Sequence, residues 1–276
     1  MIGDQNRLHK LTRRLVAGPL LVVGIACTLA ACTVDEAAYV ERPVEELYNE
    51  AMDAMQGRNY GTAAVTFDEV ERQHPYSSWA TKAQLMSAYA HFQAGGYDDA
   101  IIGLDRFIQL HPSNRDVPYA LYLKGLCYYE QISDVSRDQQ MTREAMASFG
   151  ELIKRYPESQ YTKDAKVKVD LTFDHLAGKE MNIGRYYLRQ GHYLAAINRF
   201  QEVVERYQTT THVPEALLRM VEAYMALGVK EEAKKVAAVL GHNFPGSEWY
   251  INAYELVEGV KFKGDQPQEA WYKFWK

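Results

Sequence analysis

The sequence predicts an all-α protein, a superhelix of about five helix pairs, and three observations carry that expectation. From Pro43 onward, apolar residues recur at helical spacing, and no alternating strand pattern of any length interrupts them. Five alanines, Ala63, Ala100, Ala145, Ala196 and Ala233, each head the same short pattern. Twelve residues after four of them stands a proline, Pro75, Pro112, Pro157 or Pro245, with Gln208 at the remaining position.

The columns around each alanine have a physical reading. Four residues on come Phe67, Leu104, Phe149, Phe200 and Ala237, and seven on come Val70, Phe107, Leu152, Val203 and Leu240. These positions continue one helical face. The alanine lets two helix backbones approach closely. Three residues before it lie Tyr60, Tyr97, Thr142, Tyr193 and Lys230, preceded in GRNYGTAAVTF, AGGYDDAIIGL and RQGHYLAAINRF by glycines suited to a left-handed turn between helices. Proline then ends the second helix. The pattern resembles the tetratricopeptide repeat, two antiparallel helices per unit, and implies a superhelix whose concave face is built largely from first helices. The units are spaced 37, 45, 51 and 37 residues apart. The 45-residue interval holds a polar insertion, EQISDVSRDQQMTREA, and the 51-residue one has room for a single extended helix or an extra turn.

Residues 1–31 read as a leader. The basic stretch HKLTRR precedes LVAGPLLVVGIACTLAA, an apolar run of 17 residues interrupted by Gly18, Pro19 and Gly24. A spanning helix needs about 20 apolar residues, whereas a signal peptide needs fewer, followed by small residues. LAAC, ending at Cys32, resembles the lipobox of bacterial lipoproteins. That resemblance implies cleavage before Cys32 and a covalent lipid there, an N-acyl chain and an S-diacylglycerol. At about 0.8 kcal/mol per buried CH₂, two or three chains hold a protein on a membrane. Thr33 follows Cys32 where inner-membrane retention favours Asp, so the expectation is the outer membrane, with the body facing the periplasm. Residues 32–43 are then a lipidated tether, 44–160 repeats one to three, 161–245 repeats four and five, and 246–276 a C-terminal capping helix with the aromatic tail WYKFWK.

Composition narrows the function. Apolar residues make up 47% and charged ones 24%, as in a globular body. Without the leader, 27 basic residues face 35 acidic ones, which argues against nucleic acid as a partner. Cys27 leaves with the leader and Cys32 is modified, so Cys127 in LKGLCYYE stays single and reads as a small buried hydrophobe. No HExxH, CxxC, GxSxG, P-loop or GxGxxG motif occurs. His74 and His111 precede repeat-ending prolines and read as structural, and Glu45-Glu46 and Asp98-Asp99 read as solvated helix starts. The expectation is a binding protein, with no enzymatic activity and no cofactor beyond the lipid on Cys32.

Long phrases carry a closer resemblance. HPYSSWATKAQLMSAYAHFQAGGYDDAIIGLDRFIQLHPSN, DVPYALYLKGLCYYEQ and the stretch from Tyr156 to Phe200 are similar to the BamD (ComL/YfiO) family, lipoproteins of the β-barrel assembly machine. The likeness covers roughly residues 32–245. It implies that repeats one to three receive unfolded outer membrane β-barrel proteins, and that repeats four and five dock on a POTRA domain of the barrel subunit BamA, beside other Bam lipoproteins. Arg199, in AAINRF, matches a family arginine that meets acidic residues of BamA, with Arg185, Tyr186 and Tyr187 as neighbours in the same interface. Tyr48, Tyr89, Phe92 and Tyr122, on first helices, are the candidates for the substrate groove. Some relatives carry an arginine after the aromatic of the first turn where this chain has Gly61, so that role does not transfer. Two rival readings share the architecture: a pilotin-type lipoprotein that escorts a secretin, and a lipoprotein regulator of a peptidoglycan enzyme.

Overall fold

The computed structural model describes residues 41–259. The leader, Cys32, most of the tether and the WYKFWK tail lie outside the described residues. Five helix pairs follow one another: α1 (Val44–Gln56) with α2 (Tyr60–Gln73), α3 (Ser78–Gln93) with α4 (Tyr97–Leu110), α5 (Val117–Glu130) with α6 (Gln140–Arg155), α7 (Thr162–Arg189) with α8 (Tyr193–Arg206), and α9 (Val213–Ala226) with α10 (Lys230–Asn243). A further helix, α11 (Glu248–Glu258), ends the stack. Each helix packs on its neighbours in sequence, and first helices also touch one another, α1 with α3, α3 with α5 and α7 with α9.

The five alanines are fully buried, as are Phe67, Leu104, Phe149 and Phe200 four residues on. In two pairs the ring at that position rests directly on a glycine of the first helix. A Cβ on Gly125 would come within 2.5 Å of Phe149 Cδ1, and one on Gly184 within 2.5 Å of Phe200 Cε1. Such contacts are closer than van der Waals packing allows, so only glycine lets those helices sit at this distance.

In the second, fourth and fifth pairs, the helices turn through one left-handed residue. Gly95, Gly191 and Gly228 have φ of 77°, 75° and 76°. The residue after each closes the helix behind it, as Gly96 N–H does on the His91 carbonyl at 2.9 Å. The first pair departs from the expectation of a glycine here. Gly57 has φ of −72° and Arg58 takes the left-handed position at φ 57°. The Asn59 N–H still closes on the Ala54 carbonyl at 2.8 Å.

Between pairs, the residue that follows the second helix leaves the helical region, with ψ between 44° and 62°. His74, His111, Tyr156, Tyr207 and Phe244 share φ between −120° and −134°. A following proline disfavours the helical region for the residue before it. Tyr207 adopts the same geometry before Gln208, so the junction does not need the ring. Each of these residues also accepts a backbone bond three residues on, from Ser77, Asn114, Ser159, Thr210 and Ser247. His74 and His111 therefore hold junction positions, as their spacing predicts.

The two long intervals have separate causes. α7 runs 28 residues as a single helix, and residues 131–139 form the insertion between α5 and α6, shorter than the polar phrase because Met141–Ala145 already lie in α6. The insertion is tied to α7. His175 Nε2 lies 2.9 Å from the Ser133 carbonyl, and Lys179 Nζ donates to the Ser136 carbonyl at 2.7 Å. Inside it, buried Gln139 donates to the Asp134 carbonyl and accepts from Thr142 Oγ1. α7 also joins two cores: Ala165 packs with the second and third pairs, Ala177 and Met181 with the fourth and fifth. α11 starts on a Ser247 cap, whose Oγ accepts from Tyr250 N–H at 3.2 Å, and lays Trp249, Tyr250 and Val257 on the last core. Cys127 is buried, and burial pushes its thiol up to about 12. Among the described residues no helix is long and apolar enough to cross a membrane.

Gly184→Ala is expected to cost about 1–3 kcal/mol, because the new methyl meets the Phe200 ring. Gly150→Ala, on a helix position open to solvent, should instead gain up to about 1 kcal/mol in helix propensity. Urea midpoints of both variants check this, and equal effects at the two sites would refute the close-approach account.

Candidate functional site

The fourth pair carries the residues expected at a partner interface. Arg199 projects from α8, seven residues after the turn, and donates through Nη1 to Glu180 Oε2 on α7 at 2.9 Å. Its side chain is 44% exposed. Beside it lies a cavity of about 340 Å³ lined by Tyr187, Ala195, Asn198, Arg199 and Glu202. Tyr187 packs partly into the core, with its ring centroid 5.7 Å from Tyr186 and 6.3 Å from His192. Tyr186 is 53% exposed. The structure thus brings Arg199, Tyr187 and Tyr186 to one end of α7 and its neighbouring α8.

Arg185 is placed differently. Two residues apart on a helix means nearly opposite faces, so Arg185 faces away from Tyr187, towards α9. Its Nε and Nη2 donate to the two Glu215 oxygens at 2.9 and 2.6 Å, and Nη1 donates to Asn182 Oδ1 at 3.2 Å. This is the paired fork geometry that guanidinium offers a carboxylate. Glu215 also accepts from Arg219 Nε at 3.3 Å, and Arg219 Nη1 reaches both Glu222 oxygens at 3.1 and 3.0 Å. Arg219 is only 6% exposed. Burial alone would raise the Glu215 carboxyl, but the guanidinia of Arg185 and Arg219 outweigh it and hold the group below its ordinary value. At Glu222 burial prevails over Arg219, and that carboxyl is raised. The chain Arg185–Glu215–Arg219–Glu222 locks the first helices of the last two pairs together.

That network went unread in the sequence. Its only local signal is VPEALLRMVEAY, where Glu215, Arg219 and Glu222 stand four and three residues apart on one helix face. Helix pairs of this kind are usually solvated, and only the approach of α7 buries this one. Arg185 also borders a second cavity, of about 380 Å³, among Leu171, Asp174, Gly178, His212 and Val135 of the insertion.

The aromatic candidates sit on first helices but divide between two cores. Tyr48 packs edge-on against Phe67 at 5.4 Å and Trp79 at 4.8 Å, in the core of the first pair. Burial raises its hydroxyl. Tyr89, Phe92 and Tyr122 pack against the core of the second and third pairs. Phe92 lies 5.8 Å from Tyr97. Tyr122 stacks on Tyr161 at 5.3 Å and donates to Asp164 Oδ2 at 2.6 Å. Its hydroxyl is raised by burial and by that bond. All four are half-buried, so each offers an edge rather than a whole ring. Among the described residues no group of His, Cys, Asp and Glu is arranged to hold a metal ion.

Residues 40–240 match the family model described as YfiO, outer membrane lipoprotein. Several curated relatives bear the name outer membrane protein assembly factor BamD. The chain is 49% identical over 242 residues to that of Caulobacter vibrioides, covering 88% of this chain and 79% of the relative. It is 46% identical over 253 residues to that of Rickettsia prowazekii, covering 91% and 99%. It is 35% identical over 272 residues to that of a Neisseria meningitidis serogroup A strain, covering 93% and 98%.

Glu215→Gln is expected to cost about 3 kcal/mol at neutral pH by leaving two guanidinia short of charge. The folded carboxyl lies below its ordinary value of 4.5, so its stabilisation is fully present above that value and is lost as pH falls through the lowered one. The gap in urea midpoint between the native chain and the variant should therefore close in acid. A gap that persists unchanged down to about pH 3 would show that charge contributes nothing at this site.

Proposed function

We propose a function for this chain from one premise, that it belongs to the YfiO family of outer membrane lipoproteins. It is an outer membrane protein assembly factor and works in the Bam complex with other Bam components, associated with the outer membrane. The observation that carries this is the agreement with three assembly factors over most of both chains, at up to 49% identity. Such a role is one of binding: it needs surfaces that grip other polypeptides.

The finer reading assigns those surfaces. Cys32 carries the N-acyl and S-diacylglycerol chains that hold the body at the outer membrane, facing the periplasm. The fourth and fifth pairs dock on a POTRA domain of BamA through Arg199, flanked by Tyr186 and Tyr187. A guanidinium has five N–H donors. The Glu180 bond uses one, so acidic groups of a partner entering the adjoining 340 Å³ cavity find donors at its wall. Arg185 supports this face from behind, through Glu215. Unfolded outer membrane β-barrel proteins lie along the first helices of the first three pairs, where Tyr48, Tyr89, Phe92 and Tyr122 offer ring edges and, at Tyr122, a hydroxyl held by Asp164. Half-buried tyrosines suit this, since they lose little conformational freedom on contact and accept varied side chains. Other Bam lipoproteins are further partners, and nucleic acid is not one.

Affinity purification of the lipidated chain from envelopes tests the partner assignment. BamA is expected at near-equal amounts, and Arg199→Glu should lower its recovery about tenfold while leaving the helical circular dichroism unchanged. An unaltered recovery removes Arg199 from the interface, and the absence of BamA under gentle extraction removes the docking assignment. Cys32→Ser should move the chain from the membrane to the soluble periplasmic fraction. Retention on the membrane at the native level would refute lipid anchoring.

A further inference from the structure

α11 repeats the pattern of a first helix. Nine residues after each junction residue stands an alanine, Ala83, Ala120, Ala165, Ala216 or Ala253, and all five are fully buried. The last of them lies in α11, which also starts on a serine cap as α3 does, Ser247 in place of Ser77. Two further positions depart from the pattern. Ten residues after the junction, Gln84, Leu121 and Leu217 are at most 3% exposed, whereas Tyr254 is 37% exposed. Twelve residues after it, Leu123 and Arg219 are buried, whereas Leu256 is 40% exposed. The buried examples belong to first helices packed against their own second helix. α11 therefore presents to solvent an apolar face of the kind that a second helix covers, and covering it is favourable.

The sequence identifies the covering segment. Ala270 stands 37 residues after Ala233, the interval that separates Ala63 from Ala100 and Ala196 from Ala233. Phe274 follows it by four, as Phe67, Phe149 and Phe200 follow their alanines. QEAWYKF thus repeats REAMASF of α6. Pro267 and Glu269 suit the first turn of a helix. α11 carries Glu248, Glu255 and Glu258 and no basic residue, and Lys273 and Lys276 supply the opposite charge. We propose that residues 267–276, which lie outside the described residues, are the second helix of a sixth pair and dock on α11 over Tyr254 and Leu256. The register assigns their faces. Ala270 and Phe274 take the buried columns. Tyr272 falls two residues after the alanine, where Val65, Ile102, Ala147, Asn198 and Lys235 are all exposed. The aromatic tail then closes the last pair from within the chain, whichever partners the other pairs bind.

Hydrogen exchange read by mass spectrometry on the full-length chain in detergent micelles tests this. The amides of residues 268–276 should exchange at least about tenfold more slowly than in an unstructured peptide. Leu256→Asp, a change at an exposed site of α11, should remove that protection and leave α1 to α10 as protected as before. Phe274→Asp should remove it as well, whereas Tyr272→Asp should keep it. Unprotected tail amides in the native chain overturn the proposal. Equal effects of Phe274→Asp and Tyr272→Asp overturn the register. Protection that persists in Leu256→Asp places the tail elsewhere and overturns the docking. Protection that grows with protein concentration assigns the α11 face to a second copy of the chain and overturns it too.

Discussion

The distance between the two helices of a pair governs the rest of this structure, and in the third and fourth pairs a hydrogen atom sets it. Where Phe149 and Phe200 lie on Gly125 and Gly184, the ring fills the space that a methyl would take. The second helix then sits close enough for the next first helix to pack across both. First helices also touch directly, α1 with α3, α3 with α5 and α7 with α9. A stack of this kind has no single core; each pair completes its neighbour's, which is why its last pair needs α11 and its Tyr250 ring against Gly241.

Close packing of first helices then decides which polar groups are buried. Glu215, Arg219 and Glu222 lie on α9 where α7 covers them, and Arg185 arrives from α7 to complete the chain. Exposed ion pairs contribute little to stability. Here burial makes the bonds directional, and the opposed shifts at Glu215 and Glu222 follow from how many guanidinia each carboxyl meets. The result is a fixed angle between the fourth and fifth pairs. Arg199, on the other side of the same pair, keeps its exposure because its partner Glu180 is one turn of α7 away from that network. One helix thus carries a structural arginine and, through its neighbour, an exposed one.

Local chemistry made the repeat legible. The alanine and aromatic columns need only helical periodicity, and each junction residue before a proline leaves the helical region, which proline disfavours there. Two features broke those rules. Arg58 occupies the left-handed turn that glycine holds in the second, fourth and fifth pairs, and the Asn59 bond to Ala54 shows that the closure itself fixes the turn. The sequence shows the insertion only as polar, and in the structure His175 and Lys179 on α7 hold its carbonyls. Neither spacing nor composition could show that, because the partners stand more than forty residues away in sequence. The long phrase singled out Arg199, whereas nothing in the sequence singled out Gln84: α3 reads as a small-residue helix, and only its three-helix surroundings bury that amide without a partner.

The two faces of the stack differ for the same geometric reason. First helices lie against one another, so their large side chains, Tyr48, Tyr89, Phe92 and Tyr122, are pressed into half-buried positions and expose ring edges. Second helices are held apart by the first helix beneath them, so the space between α2 and α4 stays open and is lined by the polar atoms of α3. One face therefore presents ring edges and the other fixed hydrogen-bonding groups. Neither requires the helices to move, since both surfaces are produced by the packing that makes the fold. A protein that brings several polypeptides together at a membrane is served by such an arrangement, because occupying one face leaves the geometry of the other intact.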